Sequence, residues 1–209
     1  MVNDENRTTK AEWMPCPKIE TNYPGLTYIY SLNKIIITNK PDDLHKIIGI
    51  NGDCYTIYNN QQQKVFLAVQ EKLKRKHKIT IFNYYGNEVI QIKRPDGICL
   101  NRVLVFAPPG NFVGSVEKML SWFHCFNVTN PSVFLVKNHT GEVVLKVKAR
   151  RCSLYEYDIL SDDVTVGVVT KELKNQSVLM EKCVGASFPL EMDFGHKAVL
   201  IGACFLIGF

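Results

Sequence analysis

The sequence of 209 residues predicts a mainly β fold, in which an antiparallel barrel of about twelve strands surrounds a hydrophobic C-terminal helix. Three observations lead to this prediction. Apolar and polar residues alternate in paired segments, helical periodicity is weak over most of the chain, and residues 198–209 are all apolar or small. A helix that is apolar all round must be surrounded all round, and a closed barrel of this size has room for one.

Five segments have the pattern of a β-hairpin. The clearest are 55–71, 79–95 and 134–149, where two alternating stretches flank a turn that contains Asn or Gly. Asn and Gly tolerate the backbone conformations of tight turns, and period-2 alternation places one face of each strand in a core. Segments 102–118 and 155–171 follow the same plan around Pro-Pro-Gly and Ser-Asp-Asp turns.

Two segments are predicted to be helical, a short one at 173–182 and the terminal one at 197–209, after an interruption at Gly195, His196 and Lys197. A twelve-residue apolar helix spans about 18 Å, whereas the hydrocarbon core of a bilayer needs about 30 Å. The length therefore favours a buried core helix, with a short or tilted membrane anchor as the alternative. The residues expected to fill the barrel or meet the membrane are Ala198, Leu200, Ile201, Phe205 and Leu206.

The rest of the sequence sets broader limits. Residues 1–22 are polar and are predicted to form a flexible leader ahead of a folded domain at 23–209. The net charge of +5 favours anionic partners but is modest for a dedicated nucleic-acid-binding protein. The seven cysteines include no C-x-x-C pair, which indicates free thiols. No G-x-S-x-G, P-loop or G-x-G-x-x-G motif is present, so the sequence does not indicate an enzyme.

A strongly basic segment, KLKRKHK, occupies residues 72–78 between two predicted strands. It is interpreted first as a binding site for anionic lipid headgroups, to which each basic residue near a membrane contributes about 1 kcal/mol. The alternatives are a nuclear-import or nucleic-acid patch and a solvated loop that keeps a sheet edge from pairing. The candidate lipid-binding residues are Lys72, Lys74, Arg75, Lys76 and Lys78.

Five motifs follow one another along residues 23–209. They are YPGLTYI (23–29), APPGNFVGSV (107–116), GVVTK (167–171), FPLEMD (188–193) and KAVLIGACFLIGF (197–209). In this order they resemble the phospholipid scramblase motifs P-P-G-L-E-Y-L, A-P-P-G-x-x-x-G-x-V, G-K-I-S-K, F-P-L-D-L-D and K-A-V-M-I-G-A-C-F-L-I-D-F. The last motif is highly specific, and the chain is identified on this basis as a divergent member of the phospholipid scramblase family.

The resemblance implies a Tubby-like β-barrel around a central C-terminal helix, in agreement with the pattern of the residues. It also implies movement of phospholipids between membrane leaflets in both directions, triggered by calcium and without ATP, with the terminal helix as a membrane span. Membrane phospholipids, preferably anionic, are then the expected partners, at the cytoplasmic face of the plasma membrane. The alternative is a soluble or peripheral barrel in the cytosol or nucleus that binds anionic lipid, protein or nucleic acid.

The segment that the family uses for calcium departs from its pattern here. That segment resembles D-x-D-N-F-G-x-x-F-P-x-D, but its two leading acids fall on Met180 and Lys182 in this chain. Calcium takes about six to eight oxygen ligands, mostly from carboxylates, and Lys182 adds a repelling charge. Calcium is therefore expected to bind weakly, if the remaining acids Glu181, Glu191 and Asp193 hold it at all.

The cysteine clusters that carry palmitate in the family are also reduced. Where they should fall, this chain has only Cys99 and Cys152, the second next to Arg150 and Arg151. The two residues are candidate lipidation sites, and a single acyl chain needs a second membrane signal to hold a protein on a bilayer. The alternative is that both are unmodified loop thiols.

Overall fold

The structure is a computed structural model that describes residues 11–21, 24–72, 77–95, 101–119, 132–151, 153, 155–176 and 179–209. Within these residues, twelve antiparallel strands form a closed barrel in which neighbours in sequence are neighbours in the sheet. The strands are β1 Lys34–Thr38, β2 Gly52–Tyr58, β3 Lys64–Lys72, β4 His77–Phe82, β5 Glu88–Lys93, β6 Arg102–Phe106, β7 Phe112–Lys118, β8 Val133–Asn138, β9 Val143–Ala149, β10 Glu156–Ser161, β11 Val164–Gln176 and β12 Leu179–Ser187. The helices are a 3-10 helix at Pro24–Leu26, α1 Thr27–Tyr30, α2 Leu44–Ile48 and α3 Phe194–Gly208.

The barrel closes where β1 pairs with β12, from Lys34 opposite Ser187 to Thr38 opposite Cys183. The predicted fold class is therefore confirmed. All five predicted hairpins are present, as β2–β3, β4–β5, β6–β7, β8–β9 and β10–β11. Closure leaves no unpaired sheet edge among these strands, which removes the usual route to edge-to-edge aggregation.

Asparagine side chains hold three of the hairpin turns. The Oδ1 atoms of Asn59, Asn83 and Asn138 each accept backbone N–H groups two and four residues later, at 2.9–3.0 Å. In the latter two turns the residue three positions on is a glycine with positive φ, Gly86 at 79° and Gly141 at 89°. The Asn and Gly residues of the sequence pattern thus perform the turn roles expected of them.

Helix α3 runs through the interior of the barrel and packs on β6, β7, β8 and β12. We call the end of the barrel where α3 begins the entry end, and the end where α3 finishes the exit end. Of the five residues predicted to line this segment, Leu206 is partly exposed and four are buried, namely Ala198, Leu200, Ile201 and Phe205. Because the strands run up and down, alternate connections lie at the same end. The five hairpin turns lie at the entry end, and the connections between hairpins lie at the exit end.

Helix α3 begins at Phe194, three residues before the predicted start at Lys197. Asp193 caps it, since its Oδ1 accepts the N–H groups of Gly195 at 2.8 Å and His196 at 3.2 Å. The sequence interpretation treated the Gly-His-Lys stretch as an interruption. The structure instead places it in the first turns of the helix, with Lys197 buried.

The prediction of a short helix at 173–182 is wrong. This stretch forms the outer part of the β11–β12 hairpin, in which Leu173 pairs with Lys182 and Gln176 with Leu179. The hairpin satisfies the backbone hydrogen bonds of a polar sequence with weak local preference. Tertiary pairing therefore overrides the helical pattern.

Part of the predicted leader contacts the barrel. The N–H of Met14 donates to the carbonyl of Lys64 at 2.8 Å, and the N–H of Lys64 donates to the carbonyl of Glu12 at 2.8 Å. The Trp13 ring lies against Tyr84, with centroids 5.1 Å apart. Residues 12–14 thus form a single parallel β-bridge at the start of β3, between Trp13 and Lys64.

Candidate lipid-binding surface at one end of the barrel

The entry end carries mainly acidic side chains. Lys34, Lys137 and Lys146 lie near this end, and Lys146 is paired with Asp163, with its Nζ 3.0 Å from Oδ1. The described acids that are exposed there outnumber these cations, and they are Glu88, Glu142, Asp162, Asp163, Glu191 and Asp193. This end is therefore poorly suited to an anionic surface.

The exit end carries mainly basic side chains, at or next to the strand ends that meet there. The described cations are Lys78, Lys93, Arg94, Arg102, Lys118, Lys148, Arg150, Arg151, Lys171 and Lys182. The described acids at the same end are fewer, and they are Asp53, Glu71, Glu117, Glu156, Asp158 and Glu172, of which Glu156 and Asp158 pair with Arg150. Because most long-range attraction follows the summed charge, this end presents a positive field to an approaching anionic surface.

The C-terminus of α3 points to the same end. A helix carries a partial negative charge at its C-terminus, so neighbouring cations are favourable there. Phe205 and Phe209 close the helix against Tyr55, with ring centroids 5.3 Å and 4.7 Å from it. The charge of the exit end is thus compatible with the helix that it surrounds.

A polar chain lies inside the barrel next to the end of α3. The hydroxyl of Tyr55 donates to Oε1 of Gln70 at 3.0 Å, and Nε2 of Gln70 lies 3.3 Å from Nδ1 of His77. Burial raises the pKa of Tyr55 to about 12, and burial together with the charge of Arg94 lowers the pKa of His77. A cavity of about 330 Å³ opens beside this chain, lined by Asn39, Asp53, Cys54, Tyr55, Gln70, Lys182 and Phe209.

The loop within the basic segment predicted at 72–78 is shorter than expected, because strands occupy both ends of the segment. Strand β3 continues to Lys72 and β4 begins at His77, both at the exit end. Lys78 lies on β4, where its Nζ donates to Oε1 of Glu71 at 2.7 Å, so part of its charge is used within the sheet. The side chain of Lys72 and all of Lys74, Arg75 and Lys76 lie outside the described residues.

The predicted calcium ligands do not come together. Glu181 lies on β12 opposite Lys174, near the exit end, whereas Glu191 and Asp193 follow β12 at the entry end. Ser187 lies six positions after Glu181 along β12, which corresponds to about 20 Å of strand. In the described part of the chain, no group of three or more His, Cys, Asp or Glu side chains is placed to hold a metal ion.

A lysine occupies the neighbourhood of the remaining two acids. Lys197 is 1% exposed, and its Nζ donates to the carbonyls of Leu190 at 2.6 Å and Tyr30 at 3.0 Å. Burial lowers the pKa of Lys197, while the charges of Glu191 and Asp193 oppose that shift. Asp193 is also engaged as the helix cap. These residues therefore fit a calcium site poorly, because the buried Lys197 ammonium lies near both acids and one oxygen of Asp193 is already engaged as the helix cap.

The remaining predicted sites have different outcomes. Cys99 and Cys152 lie outside the described residues, so the lipidation hypothesis stays a prediction. None of the helices in the described part of the chain combines the length and apolar character needed to cross a bilayer. The sequence interpretation missed the basic residues outside 72–78, although a signal was available. Because alternate connections of an up-and-down barrel share one end, charges beside alternate turns could have been added together.

Comparison with known proteins identifies the family. The sequence profile described as Scramblase matches residues 14–209, and the chain belongs to the Scramblase family. It is 28% identical to Phospholipid scramblase 2 of Bos taurus over 229 residues, which cover 96% of this chain and 76% of the relative. It is 29% identical to Phospholipid scramblase 1 of Homo sapiens over 225 residues, covering 94% of this chain and 69% of the relative.

The fold also has a counterpart among solved structures. An X-ray structure of a protein from Arabidopsis thaliana matches with a TM-score of 0.51 and 13% sequence identity, covering 85% of this chain and 94% of the other. This likeness concerns the fold alone. The barrel with its central C-terminal helix is the Tubby-like architecture that the sequence motifs implied.

Proposed function

We propose that this protein binds anionic phospholipid surfaces and moves phospholipids between membrane leaflets, in both directions and without ATP. The observation that carries the proposal is the Scramblase match over residues 14–209, which includes the whole barrel and α3. The relatives it resembles are named phospholipid scramblases. The basic exit end supports a phospholipid surface as the partner, at the cytoplasmic face of the plasma membrane.

The charge of the exit end sets the strength expected of the binding. A basic residue near an anionic bilayer contributes about 1 kcal/mol, and the effect decays within about one Debye length, roughly 8–10 Å at physiological salt. Lys148 and Arg151 are exposed at this end, whereas Arg150 is paired with Glu156. Several such residues at one end favour a specific orientation on the membrane over a random one.

The packing of α3 constrains how lipid transfer could occur. The interior of the barrel holds α3 and the inward side chains of the strands, with Val105, Val136 and Val184 fully buried. A charged headgroup needs a polar path through hydrocarbon. Transfer through the barrel interior is therefore not part of this proposal. Calcium does not enter this proposal, because no group of three or more His, Cys, Asp or Glu side chains in the described residues is placed to hold a metal ion, and Oδ1 of Asp193 is engaged as the helix cap.

A reconstitution experiment tests the activity. The purified protein is inserted into vesicles that contain a fluorescent phospholipid, and the fraction of label reached by a membrane-impermeant reductant is measured without ATP. We expect this fraction to rise above that of protein-free vesicles, and to rise equally with calcium and with a chelator. A fraction equal to the protein-free control under both conditions would contradict transfer activity.

A flotation experiment tests the binding surface separately. Lys148→Glu reverses an exposed charge at the exit end, and Lys34→Glu makes the same reversal at the entry end. At about 1 kcal/mol per charge, we expect Lys148→Glu to weaken binding to phosphatidylserine vesicles roughly five- to thirtyfold. Lys34→Glu should have little effect. Equal weakening by both variants would argue against the exit end as the binding surface, and stable association with a protein or nucleic acid but not with lipid would favour a soluble binding module.

A further inference from the structure

We propose that the barrel docks end-on beside the β11–β12 hairpin, which projects further at this end, with the exposed side chains of Met119 and Tyr155 inserted among the headgroups of an anionic bilayer. This inference rests on the proposed function and adds the apolar contacts that orient the protein. Met119 follows β7 and Tyr155 precedes β10, so both lie at the exit end. Each is 49% exposed.

The two side chains stand at the same level of the barrel. A row of backbone hydrogen bonds joins them across the sheet. The N–H of Met119 donates to the carbonyl of Val133 at 2.8 Å, and the N–H of Lys171 donates to the carbonyl of Tyr155 at 2.7 Å. Between these two bonds, Ala149 donates to Ser132 and Arg150 donates to Glu156, both at 2.9 Å. At about 4.8 Å between strands, three strand spacings separate the side chains by roughly 14 Å around the rim.

Their backbones are fixed before any membrane is present. In addition to the bonds above, the N–H of Tyr155 donates to Oγ of Ser153 at 3.2 Å. A side chain on an ordered backbone loses little further freedom on binding, which preserves the favourable energy of its insertion. Met119 and Tyr155 are therefore pre-positioned contacts rather than loop residues that must order first.

Charge and side-chain type both favour a membrane as the occupant of this surface. Lys118 precedes Met119, and Arg151 lies close before Tyr155 in the chain, whereas Arg150 is paired with Glu156 and Asp158. Methionine is apolar and adaptable, and tyrosine has an apolar ring with a polar tip that suits the headgroup region. Apolar side chains flanked by Lys and Arg combine burial with attraction to anionic lipid.

The entry end supplies a matched contrast. Val143 and Val164 are 46% and 64% exposed, so apolar exposure alone does not distinguish the two ends. Val143 follows Glu142, and Val164 follows Asp162 and Asp163. These acids repel an anionic surface, and we infer that Val143 and Val164 stay in water when the protein is bound.

The test compares four single substitutions in the full chain. Met119→Ser and Tyr155→Ser remove the apolar contacts at the exit end, while Val143→Ser and Val164→Ser do the same at the entry end. Sedimentation with phosphatidylcholine–phosphatidylserine vesicles measures the apparent Kd, and the thermal midpoint of each variant confirms folding. From the apolar area involved, we expect each exit-end variant to weaken binding about three- to tenfold and each entry-end variant to leave it unchanged.

Conservative variants protect the test against a folding defect. Met119→Leu and Tyr155→Phe keep the apolar surface and should bind like the unsubstituted protein. If that protein binds vesicles but all four serine variants bind equally well, or the entry-end variants are the weaker ones, end-on docking is overturned while lipid binding stands. If the unsubstituted protein does not bind, the proposed lipid binding and this inference both fail.

Discussion

The ammonium nitrogen of Lys197 lies 2.6 Å from the carbonyl oxygen of Leu190, which fastens the first turn of α3 to the loop that leads into it. The same nitrogen reaches the carbonyls of Tyr30 and Ile29 at 3.0 Å and 3.4 Å. The loop at Leu190, helix α1 and the first turn of α3 therefore meet at one buried cation, the ammonium group of Lys197. This arrangement holds the helix in the barrel by polar contacts, whereas the rest of α3 is held by apolar packing.

The substitution Lys197→Met should destabilise the protein. The apolar side chain fills a similar volume but removes the ammonium donor from the carbonyls of Leu190 and Tyr30, whereas the carbonyl of Ile29 keeps the N–H of Leu32. The removal of a buried charge offsets part of this loss. We expect the free energy of unfolding to fall by about 2–3 kcal/mol. Urea titration measures it, and Lys34→Met, exposed at the same end, should change it by less than about 0.5 kcal/mol. Equal effects of the two variants would show that the carbonyl contacts are unimportant.

The buried thiol of Cys204 should make stability fall at alkaline pH. Burial raises its pKa from 9.0 to about 12. The unfolded chain therefore releases the proton near pH 9 while the folded protein keeps it, and stability is lost as pH rises from about 9 towards 12. Between pH 8 and pH 10, wild type should lose about 1–2 kcal/mol more than Cys204→Ala. Parallel pH profiles for the two proteins would contradict the burial of this thiol.

The close approach of β7, β8 and α3 requires a glycine at position 114. A methyl group there would overlap the carbonyl oxygen of Lys137 and would lie 2.8 Å from Cγ2 of Val199. We expect Gly114→Ala to reduce the free energy of unfolding by at least about 3 kcal/mol, because backbone atoms cannot yield cheaply. Gly185→Ala is the matched control, since its nearest contact would be the Thr170 hydroxyl at 3.1 Å. A mild effect at Gly114 would mean that β8 and α3 do not approach β7 this closely.

Calcium should leave the stability of the protein unchanged. Asp193 acts as the cap of α3, so Asp193→Ala should cost about 1 kcal/mol while Asp193→Asn, which keeps an acceptor, should cost less. The thermal midpoint should be the same with calcium and with a chelator in wild type and both variants. A calcium-dependent rise in wild type that Asp193→Asn abolishes would restore a calcium role for this loop.

The local pattern of the sequence is sufficient to predict the barrel. Period-2 alternation and turn residues such as Asn83 and Asn138 specify hairpins without reference to distant parts of the chain. The long apolar run 198–209 specifies an enclosed helix for the same reason. The prediction of a helix at 173–182 is wrong because the pairing of β11 with β12, a tertiary feature, determines the conformation of this stretch.

The candidate surface could be predicted only in part. The basic segment 72–78 is visible as a run, whereas Lys93, Lys118 and Arg151 are single residues whose common location depends on the direction of each strand. Lys197 was missed because lysine is rarely buried without a partner, and its partners are backbone carbonyls that leave no mark in the sequence. Sites built from several strand ends therefore need the register of the whole barrel.

The most direct test of the account is to identify which residues touch lipid when the protein is bound. One set of vesicles contains phosphatidylserine with a photoactivatable headgroup, and a second set contains phosphatidylserine with a photoactivatable acyl chain. Each set is mixed with the protein and irradiated, and the cross-linked peptides are identified by mass spectrometry. The account predicts that the headgroup probe labels the peptides that contain Met119 and Tyr155 but not the turns at Val143 and Val164, and that neither probe labels α3. Labelling of residues 194–208 would contradict it, because those residues can reach acyl chains only if the helix leaves the barrel.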